Sequence, residues 1–176
     1  MTNNNRRAFL IGTSTLLAAG SLGTNATARS GKKNVSDTST IPDYDKWQLS
    51  NAEWKERLSP EAYNVLRREG TERPFTSPLN DEKREGIYAC AGCGYELFSS
   101  ETKFDSGTGW PSFFDYLPGR LETKTDFKLI VPRTEYHCIR CGGHQGHVFK
   151  DGPAPTGLRY CNNGVALKFI PKDFSI

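Results

Sequence analysis

The sequence has little net charge and no sign of a repeated or elongated structure. Its 23 Lys and Arg residues nearly balance 20 Asp and Glu residues, a formal charge of +3 at pH 7. Residues 1–28 contain two of the arginines and no acid, so the remainder has 21 basic and 20 acidic residues. Proteins that bind nucleic acid usually show clustered basic residues on a markedly basic domain. We therefore expect no nucleic-acid partner. The lack of a long apolar heptad also gives no indication of a coiled-coil dimer.

Cysteine is scarce as well, and its five copies are unevenly placed. Cys90 and Cys93 form one C-x-x-C motif, Cys138 and Cys141 form another, and Cys161 stands alone. Two such motifs are typical of one tetrahedral metal site, and a leftover thiol is a candidate nucleophile. The spacing therefore predicts a structural site with four thiolate ligands and a single cysteine left for chemistry.

The N-terminal residues have the pattern of an export signal. Arg6 and Arg7 precede an apolar run over residues 8–22, and residues 26–28 form a small-residue cleavage site. The paired arginines resemble a twin-arginine export signal. A retained membrane anchor is the alternative, but the run is short for a spanning helix of about 20 apolar residues. We expect a signal peptide over residues 1–28, export to the periplasm, and no stable membrane association after cleavage.

The rest of the chain divides into a linker and one domain. Residues 29–46 are rich in polar side chains and predict a flexible linker. A single domain is then expected over residues 47–176. It should begin with two short helices or one kinked helix, because Ser50 starts a capping box and Ser59 precedes a proline at a first helical position. Gly70 is expected to end the second helix.

Beyond these helices the sequence predicts an antiparallel β domain. Short β-prone segments are separated by Gly, Pro or Asp, and the Asp151-Gly152 and Asn163-Gly164 pairs are turn signals. A domain of this size with moderate apolar content would gain stability from a bound metal. The predicted strands are Ile87–Cys90, Tyr95–Phe98, Arg120–Val131, Glu135–Ile139 and Val165–Ile170.

The two C-x-x-C motifs have the features of zinc knuckles. In each, the second cysteine is followed by glycine, which relieves strain where backbone amides face sulfur. Two disulfides or a redox-active C-x-x-C are the alternatives, since an exported protein meets oxidising conditions. We expect one Zn²⁺ per chain, bound by Cys90, Cys93, Cys138 and Cys141. Four cysteine ligands leave no open coordination position, so this metal is expected to be structural.

Cys161 lies beside residues that favour reactivity. A lone buried thiol is commonly inert, and that is the alternative. The turn signal at Asn162-Asn163-Gly164, however, places Cys161 near the end of a strand. In extended backbone, Arg159, Cys161 and Asn163 would point to one face. A nearby guanidinium favours thiolate over thiol.

Two histidines and a tryptophan are further candidates for the site. His144 and His147 follow the second knuckle directly. They are either capping or surface imidazoles, alternative zinc ligands, or the acid for a cysteine reaction. Trp110 lies between glycine and proline, so it is less easily buried in a regular strand and is a candidate for lining a pocket.

Taken in order, the motifs resemble those of the B-type methionine sulfoxide reductases. The resemblance is collinear from about Trp47 to Phe169. It rests on both C-x-x-C pairs and on the following segments: Thr71-Glu72-Arg73-Pro74-Phe75, Phe104-Asp105-Ser106-Gly107, Gly109-Trp110-Pro111-Ser112-Phe113, His144-x-x-His147-Val148-Phe149, Asp151-Gly152-Pro153 and Pro155-Thr156-Gly157-Leu158-Arg159-Tyr160-Cys161.

The resemblance implies a mainly β fold of the β-tent type, with short N-terminal helices and a structural zinc site of four cysteine ligands. It also implies reduction of the R epimer of methionine sulfoxide, chiefly in oxidised proteins. Cys161 would be the nucleophile, attack the sulfoxide sulfur while the oxygen is protonated, and become a sulfenic acid.

The same resemblance assigns roles to the neighbours of Cys161. Trp110 would pack against the methyl group of the substrate. His144, His147 and Asn163 would orient and protonate the sulfoxide oxygen. Arg159 would support the thiolate within the substrate-binding site.

The chain departs from the family pattern near the nucleophile. Many members have a cysteine at the position of Thr108, where it resolves the sulfenic acid into a disulfide. With four cysteines on zinc, Cys161 would need an external reductant, either a thioredoxin-like protein or a small thiol. Asn162 and Gly164 replace a common apolar residue and a common serine. The functional alternatives are a non-catalytic zinc-ribbon-like binding module and an exported metal-binding or redox-buffer protein.

Overall fold

The computed structural model describes residues 38–128 and 131–173. The predicted signal peptide and residues 29–37 of the predicted linker lie outside the described residues. The last part of that linker has more structure than predicted, because Thr38–Thr40 and Tyr44–Trp47 form 3₁₀ turns. Between them Ile41 is only 7% exposed and joins the hydrophobic core. One apolar side chain in a polar stretch is therefore enough to bring the chain onto the domain before Trp47.

Two short helices begin where the capping signals predict. α1 spans Asn51–Arg57, and its capping box pairs the Ser50 side chain with the Glu53 backbone and the Glu53 side chain with the Ser50 backbone. α2 spans Pro60–Arg68 and is capped by the Ser59 side chain. Such caps satisfy backbone N–H groups that have no partner inside a helix. Trp54 and the apolar face of α2 are buried in the core.

The described residues form nine strands in two antiparallel sheets, which confirms the predicted fold class. The smaller sheet has the order β2-β1-β9, and the larger has the order β3-β4-β8-β7-β6-β5. The strands are β1 Gly86–Cys90, β2 Glu96–Ser99, β3 Lys103–Phe104, β4 Ser112–Phe113, β5 Leu121–Asp126, β6 Arg133–Cys138, β7 His144–Phe149, β8 Arg159–Asn162 and β9 Leu167–Pro171.

An aromatic cluster fills the core. Phe98 from the smaller sheet stacks on Phe113 from the larger sheet, with ring centroids 4.2 Å apart. Tyr136 and Tyr160 approach the same ring from β6 and β8 of the larger sheet. Aromatic rings contribute large apolar area and a preferred packing geometry. The cluster therefore fixes β8, the strand that carries Cys161.

Three local details differ from the sequence-based expectations. β5 ends at Asp126, although the predicted strand continues to Val131. Asn163-Gly164 does not close a hairpin, because a 3₁₀ turn at Gly164–Ala166 connects strands of different sheets. The left-handed residue that ends α2 is Glu69, one residue before the predicted Gly70. Within the described part of the chain, no helix is both long enough and apolar enough to span a bilayer.

Candidate active site

The four paired cysteines form one buried cluster. Their sulfur atoms all lie within 4.8 Å of one another. The close contacts run between the knuckles, with Sγ–Sγ distances of 3.7 Å for Cys90 and Cys141 and 3.6 Å for Cys93 and Cys138. All four are free thiols, so the predicted alternative of disulfides is not what the structure shows.

Each knuckle turns as the glycine after its second cysteine predicts. Gly94 and Gly142 have φ values of +74° and +66°, a region that side chains rarely adopt. Their backbone N–H groups donate at 2.8 Å to the carbonyls of Cys90 and Cys138, respectively. These tight turns bring the two sulfurs of each motif to the same point.

The cluster fits a tetrahedral metal site. Metal–sulfur bonds of about 2.3 Å place the sulfurs of a tetrahedron about 3.8 Å apart, close to the distances found here. Hydrogen bonding with Cys138 lowers the pKa of Cys93, whereas hydrogen bonding with Cys141 raises the pKa of Cys138. A divalent cation would allow all four to bind as thiolates.

Cys161 opens into a separate cavity of about 120 Å³. Four of the site residues predicted from the sequence line this cavity: Cys161, Trp110, His147 and Asn163. The two other predicted residues, His144 and Arg159, contact lining residues from behind it. The cavity is completed by residues with no predicted role: Thr71, Arg133, Gly146, Phe149 and Asn162.

Strand pairing places the central groups in one row across the larger sheet. Cys161 is paired with Ser112 on one side and with His147 on the other. His147 is in turn paired with Glu135. Directly opposed residues on neighbouring strands point to the same face. The row therefore sets an imidazole beside the thiol and a carboxylate beyond the imidazole.

The surroundings of Cys161 act on its thiol in opposite directions. Burial raises the pKa of Cys161, while the charge of Arg159 and hydrogen bonds from Thr108 and Arg159 lower it. The effect of burial is the larger, so the pKa lies above its ordinary value. The predicted effect of the guanidinium is present, but it does not make the resting cysteine a thiolate at neutral pH.

Arg159 is held by a bidentate ion pair. Its Nε and Nη2 atoms donate to the two carboxylate oxygens of Asp151, each at 2.9 Å. The guanidinium also lies over the ring of Phe149, 4.4 Å from its centroid. The fork geometry fixes the orientation of the guanidinium. Arg159 therefore reaches the thiol from a fixed position instead of lining the cavity.

His147 presents one ring nitrogen to a carboxylate. Its Nε2 lies 2.8 Å from Oδ2 of Asp126. A backbone hydrogen bond from Lys128 and the contact with His147 hold the pKa of Asp126 well below its usual range. Because that carboxylate is ionised, the proton belongs on Nε2. Burial lowers the pKa of His147 in spite of this contact, so the neutral imidazole predominates at neutral pH.

His144 lies behind His147, because β7 contains a bulge. Gly146 pairs with Tyr136, but His144 pairs with the next residue of β6, so Gln145 is the extra residue. The bulge brings the two imidazoles to one side of the strand, with ring centroids 5.3 Å apart. His144 is buried and does not line the cavity.

A buried carboxylate sets the tautomer of His144. Its Nδ1 lies 2.7 Å from Oε1 of Glu135. Burial alone would raise the pKa of Glu135, but hydrogen bonds with His137 and His144 lower it to about 2. The ionised carboxylate therefore accepts a hydrogen bond from Nδ1–H, and the buried Nε2 atom has no hydrogen-bond partner. Because His144 does not line the cavity, it acts on the cavity through its contact with His147.

Glu72 connects three sides of the cavity. Its backbone N–H donates to Oδ1 of Asn163 at 3.0 Å, and its carbonyl accepts from Nε1 of Trp110 at 3.2 Å. Its carboxylate accepts from the backbone N–H groups of Gly164 and, at 3.1 Å, Val165. Glu72 thus positions Trp110 in the cavity wall and the segment that follows Cys161.

Gln145 links the cysteine cluster to the cavity. Its side-chain nitrogen donates to Sγ of Cys90 at 3.4 Å. Its carbonyl accepts from both the backbone nitrogen and Nδ2 of Asn163, each at 2.9 Å. The side chain of Asn163 is therefore held at both ends by the backbone of other segments. Through Gln145, the cluster of four cysteines therefore helps to hold Asn163 in position.

Comparisons with known proteins agree with this architecture. The SelR domain family matches residues 58–171. The chain belongs to the SelR domain family.

Relatives of this SelR domain share most of their length with it. Proteins named peptide methionine sulfoxide reductase MsrB are 58% identical over 123 residues in Methanosarcina barkeri and 53% identical over 127 residues in Agrobacterium fabrum. These matches cover 69% and 72% of this chain, and 87% and 94% of the two relatives. Among solved structures, the Mis18 Yippee-like domain is 15% identical, with a TM-score of 0.40, and covers 51% of this chain and 99% of its own. A similarity of that size says nothing about function.

Sequence analysis missed the groups that position the SelR site. Asp126 and Glu135 carry no motif and come close to the histidines only through strand pairing. Glu72 and Asp151 belong to segments on which the resemblance rests, and that was the available signal for them. Gln145 lies between the two predicted histidines, but its contact with Cys90 depends on the bulge.

Proposed function

We propose that this protein is a peptide-methionine (R)-S-oxide reductase that uses Cys161 as its nucleophile. Membership of the SelR family and relatives named peptide methionine sulfoxide reductase MsrB support the reaction class. The observation that supports the site most directly is the cavity that contains both Cys161 and Trp110. A thiol and an aromatic wall in one small cavity suit a substrate with a sulfur atom and a methyl group.

In the proposed first step, the sulfur of Cys161 attacks the sulfoxide sulfur, and the sulfoxide oxygen takes a proton. The sulfur–oxygen bond of the substrate breaks and the hydroxyl oxygen passes to the sulfur of Cys161. The bond between the two sulfurs breaks as methionine leaves, and Cys161 is then a sulfenic acid. The cysteine is oxidised by two electrons and the sulfoxide is reduced by two. A protonated oxygen is the better leaving group, so the step needs an acid near the cavity.

The residues around Cys161 bind the substrate, orient its oxygen and stabilise charge on the sulfur. Trp110 packs against the methyl group, and Asn163 orients the oxygen from the cavity wall. Nδ1 of His147, which carries no proton, accepts a hydrogen bond from the oxygen once the oxygen is protonated. The proton of Cys161 itself is available to the oxygen, because burial keeps its pKa above the ordinary value. Arg159 stabilises negative charge on the sulfur as attack begins. His144 acts as a positioning residue behind His147.

We further propose that regeneration uses an external thiol. That thiol attacks the sulfenic acid, releases water and forms a mixed disulfide, and a second thiol then releases Cys161 and leaves as the disulfide. Four of the five cysteines lie in the buried cluster. Thr108, whose hydroxyl contacts the Cys161 thiol, has no sulfur to offer. A thioredoxin-like protein or a small thiol fits this requirement.

The cysteine cluster is proposed to bind one structural Zn²⁺. Four buried thiolates at tetrahedral spacing are a preferred zinc environment, and they leave no position for substrate. The ion would hold the two knuckles, and through Cys90 and Gln145 it would hold the support of Asn163. The N-terminal pattern supports export to the periplasm, where oxidised proteins would be the substrates.

A stereochemical turnover assay tests the proposed function. The wild type should reduce a peptide containing methionine-R-sulfoxide with dithiothreitol and leave the S epimer unchanged. Cys161→Ser should lose this activity while retaining its metal content and thermal unfolding midpoint. R-epimer reduction that survives Cys161→Ser would remove the proposed mechanism and would favour a role for the cysteine cluster in chemistry.

A further inference from the structure

A second cavity shares a wall with the Cys161 cavity. It has a volume of about 170 Å³, and Trp110 lines both cavities. We call it the Phe75 groove, and its walls include Phe75, Asn80, Lys103, Phe104 and Trp110. Two lysines and two aspartates lie around it, so the groove has no dominant sign of charge. A chain leaving the Cys161 cavity past Trp110 would enter this groove.

Phe75 has an unfavourable backbone conformation and little burial. Its φ of +62° lies in the left-handed region, which is an outlier for a bulky residue. Its side chain is 73% exposed. An aromatic residue normally stabilises a fold by burying its ring, and this ring stays largely in solvent. Folding alone therefore gives little reason for phenylalanine at this position.

The surrounding loop is built to hold Phe75 beside Trp110. The backbone N–H of Phe75 donates to the carbonyl of Gly109 at 2.7 Å, and Nδ2 of Asn80 donates to the same carbonyl at 3.1 Å. A side chain at position 109 would meet the backbone and ring of Phe75 at 2.8 Å. Gly109 thus permits a close approach that sets the exposed ring next to the tryptophan of the reaction cavity.

We propose that the Phe75 groove binds the polypeptide next to the oxidised methionine, with an apolar side chain of the substrate against the Phe75 ring. This inference rests on the proposed function and deepens it. A protein-bound sulfoxide brings flanking residues that must pass over the rim of the cavity. The groove lies at that rim, and strained residues that stay exposed tend to cluster where a ligand binds. Because the charges around the groove balance, the aromatic ring of Phe75 is the distinguishing contact that the groove offers to a substrate side chain.

The test compares peptides that differ only in the flanking residues. One capped pentapeptide has leucine on both sides of methionine-R-sulfoxide, and the other has glycine there. Wild type should prefer the leucine peptide by about tenfold in kcat/KM, since an apolar contact of this kind is commonly worth that much. Phe75→Ala should lose most of this preference, because kcat/KM should fall much further for the leucine peptide than for the glycine peptide. Phe127→Ala, at another phenylalanine that is 75% exposed but lines neither cavity, should keep the preference.

Phe75→Gly adds a second measurement, in which stability and the preference for leucine should change in opposite directions. Glycine relieves the left-handed strain, so the thermal unfolding midpoint should rise while the preference for leucine falls. A purely structural role for Phe75 would change stability and leave the ratio of the two peptides unchanged. An unchanged ratio, or an equal loss on both peptides, would overturn the inference.

A binding measurement separates this inference from the proposed function. If wild type reduced neither peptide, the proposed function would fail. Peptide binding to the groove would then be measured by fluorescence anisotropy of the two labelled peptides. The proteins compared are Cys161→Ser and the Cys161→Ser, Phe75→Ala double variant. Tighter binding of the leucine peptide that depends on Phe75 supports the groove, and equal binding of both peptides contradicts it.

Discussion

The hydroxyl of Thr108 lies near the thiol of Cys161 and lowers its pKa. The side chain at position 108 is therefore a neighbour of the sulfur that is oxidised in the proposed reaction. Ser106 fixes this threonine, because their hydroxyls lie 2.8 Å apart. In the proposed mechanism, the atom at position 108, an oxygen here or a sulfur after Thr108→Cys, decides how oxidised Cys161 is returned to its thiol form.

Thr108→Cys should convert the protein to internal resolution. After one turnover without reductant, the new thiol should attack the Cys161 sulfenic acid, release water and form a disulfide between positions 108 and 161. Peptide mapping without reduction measures this product. Thr108→Ser, which retains a hydroxyl, should give no such disulfide. A stable sulfenic acid in Thr108→Cys would show that the two side chains do not approach closely enough.

The charges around Cys161 predict a specific pH dependence. Burial raises the pKa of its thiol, so alkylation by iodoacetamide should increase with pH around a midpoint above that of an ordinary cysteine. Asp151→Asn removes a negative charge that raises this pKa, and the midpoint should move down. Arg159→Met removes the positive charge that lowers it, and the midpoint should move up. Asp43→Asn, which lies outside the cavity, serves as the control. Midpoints that shift in the same direction in Asp151→Asn and Arg159→Met would contradict this account.

Glu72→Gln should weaken the segment that follows the nucleophile. The carboxylate accepts from two backbone N–H groups, and an amide can offer only one oxygen to them. We expect a loss of about 1 kcal/mol in the free energy of unfolding and a fall on the order of tenfold in kcat/KM. Steady-state kinetics and urea unfolding measure the two effects. Glu53→Gln, which changes the capping carboxylate of α1, should lose stability and retain its activity.

Asn162 and Tyr136 should behave as a coupled buried pair. The Tyr136 hydroxyl donates to Oδ1 of Asn162 at 2.8 Å, and both side chains are fully buried. Asn162→Leu or Tyr136→Phe alone leaves a buried polar group unpaired, which costs about 1–3 kcal/mol. The double variant should cost less than the two single costs together. Urea unfolding of the four proteins measures the coupling, and additive losses would contradict it.

The features that were predictable from the sequence depend on local chemistry. The capping box of α1 and the two glycine-flanked knuckles involve residues a few positions apart, so their patterns are visible in the chain. A closed set of four cysteines also follows from spacing, because each C-x-x-C turn brings its own sulfurs together. Most predicted strands of the domain were placed within about two residues for the same reason, since β-prone runs alternate with turn residues. The exception is the predicted strand Arg120–Val131, which runs past the end of β5 at Asp126.

The features that were not predictable depend on the register between paired strands. His144 and His147 are three residues apart, which would place them on opposite faces of a regular strand. The bulge at Gln145 restores a shared face, and nothing in the local sequence marks that bulge. The carboxylates of Asp126 and Glu135 reach these imidazoles only across paired strands. The net effect on the Cys161 pKa likewise required knowing how deeply the thiol is buried.

The most direct test of the central claim is a single turnover of the reduced wild type with one equivalent of a methionine-R-sulfoxide peptide and no added thiol. Intact mass spectrometry and peptide mapping should find one methionine formed per chain, one added oxygen atom on Cys161, and no internal disulfide. An internal disulfide that includes Cys161, or equal methionine formation by Cys161→Ser, would contradict the account.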